Sequence, residues 1–335
     1  MNKRMERTFC LALLVFSVAV RASLSAGFDP GVFSRLQALW DKPAAAESVS
    51  AEPLVWTVDL LPPEPVTLAA PAPQNVVRME ATPVLVFEPS EADAISITGT
   101  CTRAVDRQAL LTRPSALTVP RNDDPQVLIV HTHSSEAYTP EPGWEYEASD
   151  ELRTEDAAHS VIRVGDWVAE LLRDAGISVL HDTALNDYPT YNGAYARMQT
   201  TIEQYLSDYP SIQMVLDIHR DAASAPDGSP VAHTVMLDGQ DCARLMLVVG
   251  TDEGGLSHPD WEENLANALK LQALLNRSAP GLCRSLDLRT ERFNQHETPG
   301  SVLVEFGSTG NTLRQALNSA DYLAAALITF LQSEK

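Results

Sequence analysis

Basic residues are scarce in this sequence. Its 335 residues hold 24 Lys+Arg against 45 Asp+Glu, a formal charge of −21. Nucleic-acid recognition needs clustered Lys and Arg on phosphates, and a polybasic membrane patch uses the same groups, so both classes are excluded. The acidity alone names no substrate and describes a soluble, self-repelling surface. Cysteine is scarce too. Cys10, Cys101, Cys242 and Cys283 are the whole set, and none has the short spacing of a zinc ribbon or redox motif. Three of them lie beyond the N-terminus, so at most one disulfide can join them, and buried free thiols are expected. There is no GxxxxGK[ST], no strand-linked GxGxxG and no GxSxG elbow, which removes the common phosphate cradles and a nucleophilic serine. No internal repeat is evident. With 44% hydrophobic and 21% charged residues, the chain is nonetheless a globular one, long enough for one large domain with accessory sequence.

Residues 1–28 read as an address. Lys3, Arg4 and Arg7 precede the apolar run Phe9–Val20, and Arg21 closes it, the layout of a secretory signal. As a helix that run rises about 18 Å, short of the ~30 Å bilayer core, which suits a cleaved signal. A lasting anchor would have to extend through Ala22–Phe28, with Arg21 snorkelling. Either way the chain is expected to be exported. Residues 29–125 are expected to be a Pro/Ala-rich spacer and N-terminal region. Nine of the 22 prolines fall between Asp41 and Pro89, a composition that favours extended chain.

From residue 126 to 335 the texture alternates strand and helix. Val127–Val130 is a short continuous apolar run, typical of a strand buried on both faces. Ser160–Ala175 carries Val161, Val164, Val168, Leu171 and Leu172 on one helical face, and Gly176 sits where a C-capping glycine belongs. Further strands are predicted at Ile177–Leu180, Ile212–Ile218, Thr234–Leu237, Leu245–Val249 and Val302–Val304. Helices are predicted at Tyr195–Ser207, Trp261–Asn276 and Thr312–Gln332, the last capped by Asn311. The alternation implies one three-layer α/β/α catalytic domain.

In open α/β sheets functional groups collect beyond the C-terminal strand ends. His131-Thr132-His133-Ser134-Ser135-Glu136 follows the first strand, and two histidines at i and i+2 of extended chain share a face. Neutral imidazoles with a carboxylate are the donor set of a catalytic zinc, which keeps a position open for water. His219, in Asp217-Ile218-His219-Arg220-Asp221, is the natural third ligand, with Asp217 or Asp221 to orient it. Glu305 ends the last strand and is placed to act as general base and then to protonate a leaving amine. Tyr188, Tyr191 and Tyr195, around Asn192-Gly193, suit a groove wall for sugar or peptide. His296 is placed to line the same groove, and Arg292 and Arg220 to hold substrate there.

The segments VLIVHTHSSEAYTP (127–140), RTEDAAHSVIRVGDWVAELL (153–172), HDTALNDYPTYNGAYARMQTTI (181–202), VLDIHRDA (215–222) and RFNQHETPGSVLVEFGSTGNTLRQAL (292–317) run in order through the C-terminal part. With them the chain resembles the stage II sporulation protein P (SpoIIP) family. The resemblance implies a zinc amidase-like (phosphorylase/hydrolase-like) fold and a zinc-dependent N-acetylmuramoyl-L-alanine amidase. Such an enzyme cuts between the lactyl group of muramic acid and the stem peptide, with cross-link endopeptidase action also attributed to the family. It further implies a membrane-anchored protein on the outer membrane face, working in engulfment with a SpoIID-like glycan-cleaving enzyme and a SpoIIM-like membrane scaffold.

In the wider amidase group a glutamate ligand comes from the start of the first helix. Here that stretch reads Asp156-Ala157-Ala158-His159-Ser160, so Glu136 takes the role, with Asp156 or Glu155 in reserve. Between His131 and His133 the ligand is open. His133 is preferred for its spacing to Glu136, with His131 beside Glu305 in the catalytic machinery. Two rival readings are a catalytically inactive wall-binding scaffold and a zinc peptidase without glycan preference.

Overall fold

The structure, a computed structural model, describes residues 85–119 and 122–333. The signal or anchor, and most of the proline-rich spacer, lie outside the described residues.

Among the described residues, seven strands and four long helices carry the architecture. A seven-stranded sheet has the order β1-β8-β7-β9-β4-β2-β3. Its strands are β1 (Ile97–Gly99), β2 (Val127–Val130), β3 (Val179–His181), β4 (Met214–Asp221), β7 (Leu245–Gly250), β8 (Leu286–Arg289) and β9 (Ser301–Ser308). Every neighbour pair is parallel except β7 with β9. The chain therefore has a mixed α/β fold with a mostly parallel sheet. A separate hairpin joins β5 (Thr234–Leu237) to β6 (Gln240–Ala243).

Strand alternation divides the sheet's side chains between two unequal layers. Val127 and Ile129 of β2, and Leu216 and Ile218 of β4, enter the main core. There they meet α3 (Val161–Asp174), α5 (Trp261–Ser278) and α6 (Leu313–Ser333). Leu128, Val130 and Val215 point the other way, into a small cluster with Met198 and Ile202 of α4 (Ala194–Asp208). Each such fully buried aliphatic side chain contributes about 1.5–3 kcal/mol. The lightly covered face carries the site.

Local chemistry explains the key elements. Helix α3 starts where the Ser160 hydroxyl accepts the Ile162 N–H at 3.2 Å, and Gly176 past its end takes φ 80°. Its Gly165 lies against the sheet, where a Cβ would come within 2.6 Å of His131 Nε2. Asn311 is not the cap expected for α6. Its side chain binds the Ser308 and His233 N–H groups, and Thr312 with Gln315 forms the capping pair instead.

Part of the expected N-terminal region is among the described residues. Pro89 opens a helix, α1 (Pro89–Asp93), with a Glu88/Glu91 capping box in front of it. β1 then pairs with β8, and α2 (Arg107–Thr112) follows. Ala92, Ile95, Leu110 and Leu111 are buried in the main core, so this stretch is part of the same fold. Among the described residues no helix is long and apolar enough to cross a membrane. Cys101, Cys242 and Cys283 are free thiols, and of the three expected to be buried only Cys242 is, the other two being half-buried.

Candidate active site at the strand ends

Strands β4 and β9 run side by side in a register that sets His219 opposite Glu305. Both side chains rise on the α4 side of the sheet, as does Asp217 two residues earlier. The segment after β2 bends over them and brings His133 and Glu136 into the same cup. The His133 and His219 rings lie 5.4 Å apart, edge to face. Glu136 Oε2 is 3.4 Å from His219 Nδ1 and accepts the Arg220 backbone N–H at 3.0 Å. Asp217 Oδ1 lies 2.9 Å from His219 Nε2, while its two oxygens accept the Thr132 N–H and hydroxyl.

The charges in this cup are set by burial and by one another. Burial works against protonating His219, but Asp217 and then Glu136 outweigh it and hold the imidazole well above its ordinary range. Burial would raise the Glu136 carboxyl, yet His219, Arg220 and His133 bring it down to about 2. Burial keeps His133 below its usual value. Glu305 is pushed up to about 8 by burial, with His219 opposing and Glu136 adding. A carboxyl poised there can both take and give a proton near neutral pH.

Three polar atoms of this cup are buried without a hydrogen-bond partner: His133 Nδ1, His219 Nε2 and Glu305 Oε2. His219 Nε2 nonetheless has Asp217 Oδ1 2.9 Å away as an ion-pair partner. Buried polar atoms are rarely left so, and each costs about 1–3 kcal/mol. Two imidazoles and a carboxylate with unsatisfied ring nitrogens fit a zinc ion chemically. The arrangement is wider than a ligand shell, since among the described residues no three His, Cys, Asp or Glu side chains stand at ligand spacing around one point.

Two expected site residues are engaged elsewhere. His131 continues the alternation of β2, so it follows Ile129 toward α3 and away from the cup. Its Nδ1 donates to the Ile218 carbonyl at 3.0 Å. Burial lowers it to about 3, so the ring is neutral, and its Nε2 accepts from His181 Nε2 at 2.8 Å. His181 in turn lies 3.1 Å from Asp166. The shared face inferred for His131 and His133 fails because β2 ends at Val130 and the chain turns between them. Arg220 is buried and donates to the Ala137 and Leu152 carbonyls, so it braces the loop after β2 and does not face substrate.

The other predicted residues divide. Tyr191 stacks on His133 with centroids 4.4 Å apart and planes 9° apart. Asn192 is exposed on the same loop, and its carbonyl accepts from Arg197. Arg292 lines a groove beyond Tyr195. His296 is drawn to Glu297 at 2.8 Å and stands near Gln199 and His258, apart from the cup.

Sequence reasoning passed over Asp187, whose carboxylate is fully buried. It accepts from Ser134, from the N–H and hydroxyl of Ser135, and from Arg153, pinning the segment that carries His133. No spacing signal marks it. His181 was findable, because it ends β3 as His219 lies near the end of β4.

The stage II sporulation protein P (SpoIIP) family model matches residues 90–328. The chain belongs to the SpoIIP family. No curated protein matches it. Among solved structures, this SpoIIP-family chain is similar to N-acetylmuramoyl-L-alanine amidase AmiC2 of Nostoc punctiforme, with 14% identity and a TM-score of 0.36 over 62% of this chain and 97% of that one. It is also similar to the Ami1 amidase of Mycobacterium smegmatis, at 13% and 0.38 over 63% and 99%. A third likeness is the catalytic domain of the CwlV amidase of Bacillus (Paenibacillus) polymyxa var. colistinus, at 10% and 0.37 over 62% and 98%. At such scores these likenesses carry no argument about residues or chemistry.

Proposed function

We propose that this chain is a zinc-dependent peptidoglycan hydrolase. It cuts the amide between N-acetylmuramic acid and the stem peptide during sporulation. It works on the outer membrane face beside a SpoIID-like glycan-cleaving enzyme and a SpoIIM-like scaffold. Family membership supports the setting. The observation that carries the chemistry is the convergence of three buried atoms that make no hydrogen bond, His133 Nδ1, His219 Nε2 and Glu305 Oε2, at neighbouring strand ends.

His133, Glu136 and His219 would hold the ion. Zinc, when bound, would polarise the scissile carbonyl and acidify the attacking water. Glu305 accepts the proton from that water and returns it to the leaving amine, so the amide C–N bond breaks as the new C–O bond forms. Tyr191 and Tyr195 fix the His133 ring from its face and its edge.

Release of soluble fragments from dye-labelled cell walls, with and without chelator, tests this reading. We expect activity to vanish in chelator and return with zinc. Glu305→Gln should bind one zinc and lose about 10²–10⁴-fold in rate. Full activity in excess chelator would overturn the metal assignment. Mass spectrometry of the digested muropeptides separates amidase from endopeptidase products, and intact walls with no bound zinc would favour an inactive wall-binding scaffold.

A further inference from the structure

A groove of about 390 Å³ opens beside the cup. Tyr195, Gln199, Leu256, Arg292, Phe293 and Asn294 line it. Tyr195 is the shared wall. One side of its ring meets His133 edge to face at 5.4 Å, and the other tilts against Phe293 at 5.8 Å.

The far wall is built rather than loose. Phe293 and Asn294 both adopt left-handed backbone, φ 49° and 58°, which costs non-glycine residues of order 1 kcal/mol or more each. The surrounding structure enforces it. Gln295 bonds both the Gly250 N–H and the Val248 carbonyl, and Asn294 donates to the Tyr195 carbonyl at 2.8 Å. Gly250 permits the contact, since a Cβ there would stand 2.2 Å from the Glu291 carbonyl and 2.7 Å from Arg292 Cα.

The strand end therefore presents Arg292 into the groove in a fixed place. One guanidinium nitrogen donates to the Ser257 carbonyl at 3.0 Å, and Glu297 acts on the guanidinium only from beyond ion-pair distance. Glu291, the acid on the lining, turns to Arg289 instead. A planar cation held over apolar walls suits a carboxylate on an otherwise uncharged ligand.

We propose that this groove is the subsite for the acidic stem peptide, with Arg292 binding a free carboxylate two to three residues from the scissile amide. Two ring-to-ring steps, from His133 to Tyr195 at 5.4 Å and on to Phe293 at 5.8 Å, cover at most about three residues of extended chain at ~3.4 Å each. The proposal rests on the peptidoglycan reading, and it makes Arg292 a specificity determinant for substrates whose second residue carries a free α-carboxylate rather than an amide.

The test uses the full chain and two soluble tripeptides, N-acetyl-L-Ala-γ-D-Glu-L-Lys with its C-terminus amidated and the same peptide with the glutamate α-carboxylate amidated as well. Calorimetry should show the free acid binding at least about fivefold tighter. Arg292→Gln should abolish that preference while leaving the amidated peptide's affinity and the thermal melt unchanged. Leu256→Asp, on the exposed rim, should weaken the free acid more than the amide. On labelled wall, Arg292→Gln should raise KM with kcat held. Equal binding of both peptides by the unaltered chain, or a preference that survives Arg292→Gln, overturns the proposal. Discrimination without wall hydrolysis would overturn the hydrolase reading and leave the subsite standing.

Discussion

Tyr191 lies flat on the imidazole of His133, 4.4 Å between centroids, while half of its own surface stays in solvent at 53% exposure. The Arg153 guanidinium also sits 4.8 Å from the Tyr191 ring. A stacked aromatic fixes a ring's plane without using its nitrogens. Tyr191→Ala should therefore weaken zinc binding by about 10–100-fold, the range seen when a ligand's supporting contacts are lost. Tyr191→Phe should stay within a few-fold of the unaltered chain. Metal competition with a chromogenic chelator measures both. If Tyr191→Phe fell as far as Tyr191→Ala, the hydroxyl and not the stack would be the working group.

Gly165 is the point where α3 touches the His131–His181 pair. A methyl group there would stand 2.6 Å from one ring nitrogen and 2.7 Å from the other. Both rings are tied, one to Ile218 and one to Asp166, so neither can simply step aside. Gly165→Ala should cost about 1–3 kcal/mol by overpacking, which for a domain of this size lowers Tm by roughly 2–12 °C. Differential scanning calorimetry decides it. An unchanged Tm would mean that α3 lifts away freely.

His258 is 1% exposed, with both ring nitrogens unpartnered. Burial first, then His296 and Arg292, lower it to about 4, with Asp252 pulling the other way. An unfolded histidine titrates near 6.5, so between about 4 and 6.5 the unfolded chain binds the extra proton. Stability therefore falls as pH drops through that window, by at most about 3 kcal/mol from this group. His131, at about 3, works in the same direction. Urea titrations at pH 7 and pH 4.5 should show a smaller acid loss in His258→Phe than in the unaltered chain. Equal losses would remove His258 from the account.

The long elements were legible because their patterns were long. The apolar run of β2 and the spacing along α3 and α5 survive in the structure within a few residues, and the strand-end rule led to His133, Glu136, His219 and Glu305. What escaped was short or tertiary. β1 has three residues at a sheet edge, and its membership depends on β8, a partner nearly two hundred residues away. Pro89 read as spacer because composition cannot tell a helix-opening proline from a disordered one. His131 follows the alternation of β2 toward α3, while His133 reaches the cup because the chain turns after Val130, a turn the i, i+2 spacing does not show. Arg220 sits in a charged run at the end of β4, yet its guanidinium's partners are backbone carbonyls, which leave no mark in sequence.

Three unsatisfied polar atoms within one cup also have a mechanical meaning. Natural folds are minimally frustrated, and where conflict persists it is usually confined. Here it is confined to the rim of β4 and β9, on the side of the sheet that a single long helix covers. The densely packed opposite layer bears the stability, so the cup can carry strain without loosening the whole. Any cation that satisfies those atoms gains folding energy along with affinity. Amide exchange at this rim should then slow when zinc is added, while the α3, α5 and α6 layer stays as protected as before. Zinc would then tighten one edge of the sheet and leave its packed face as it was.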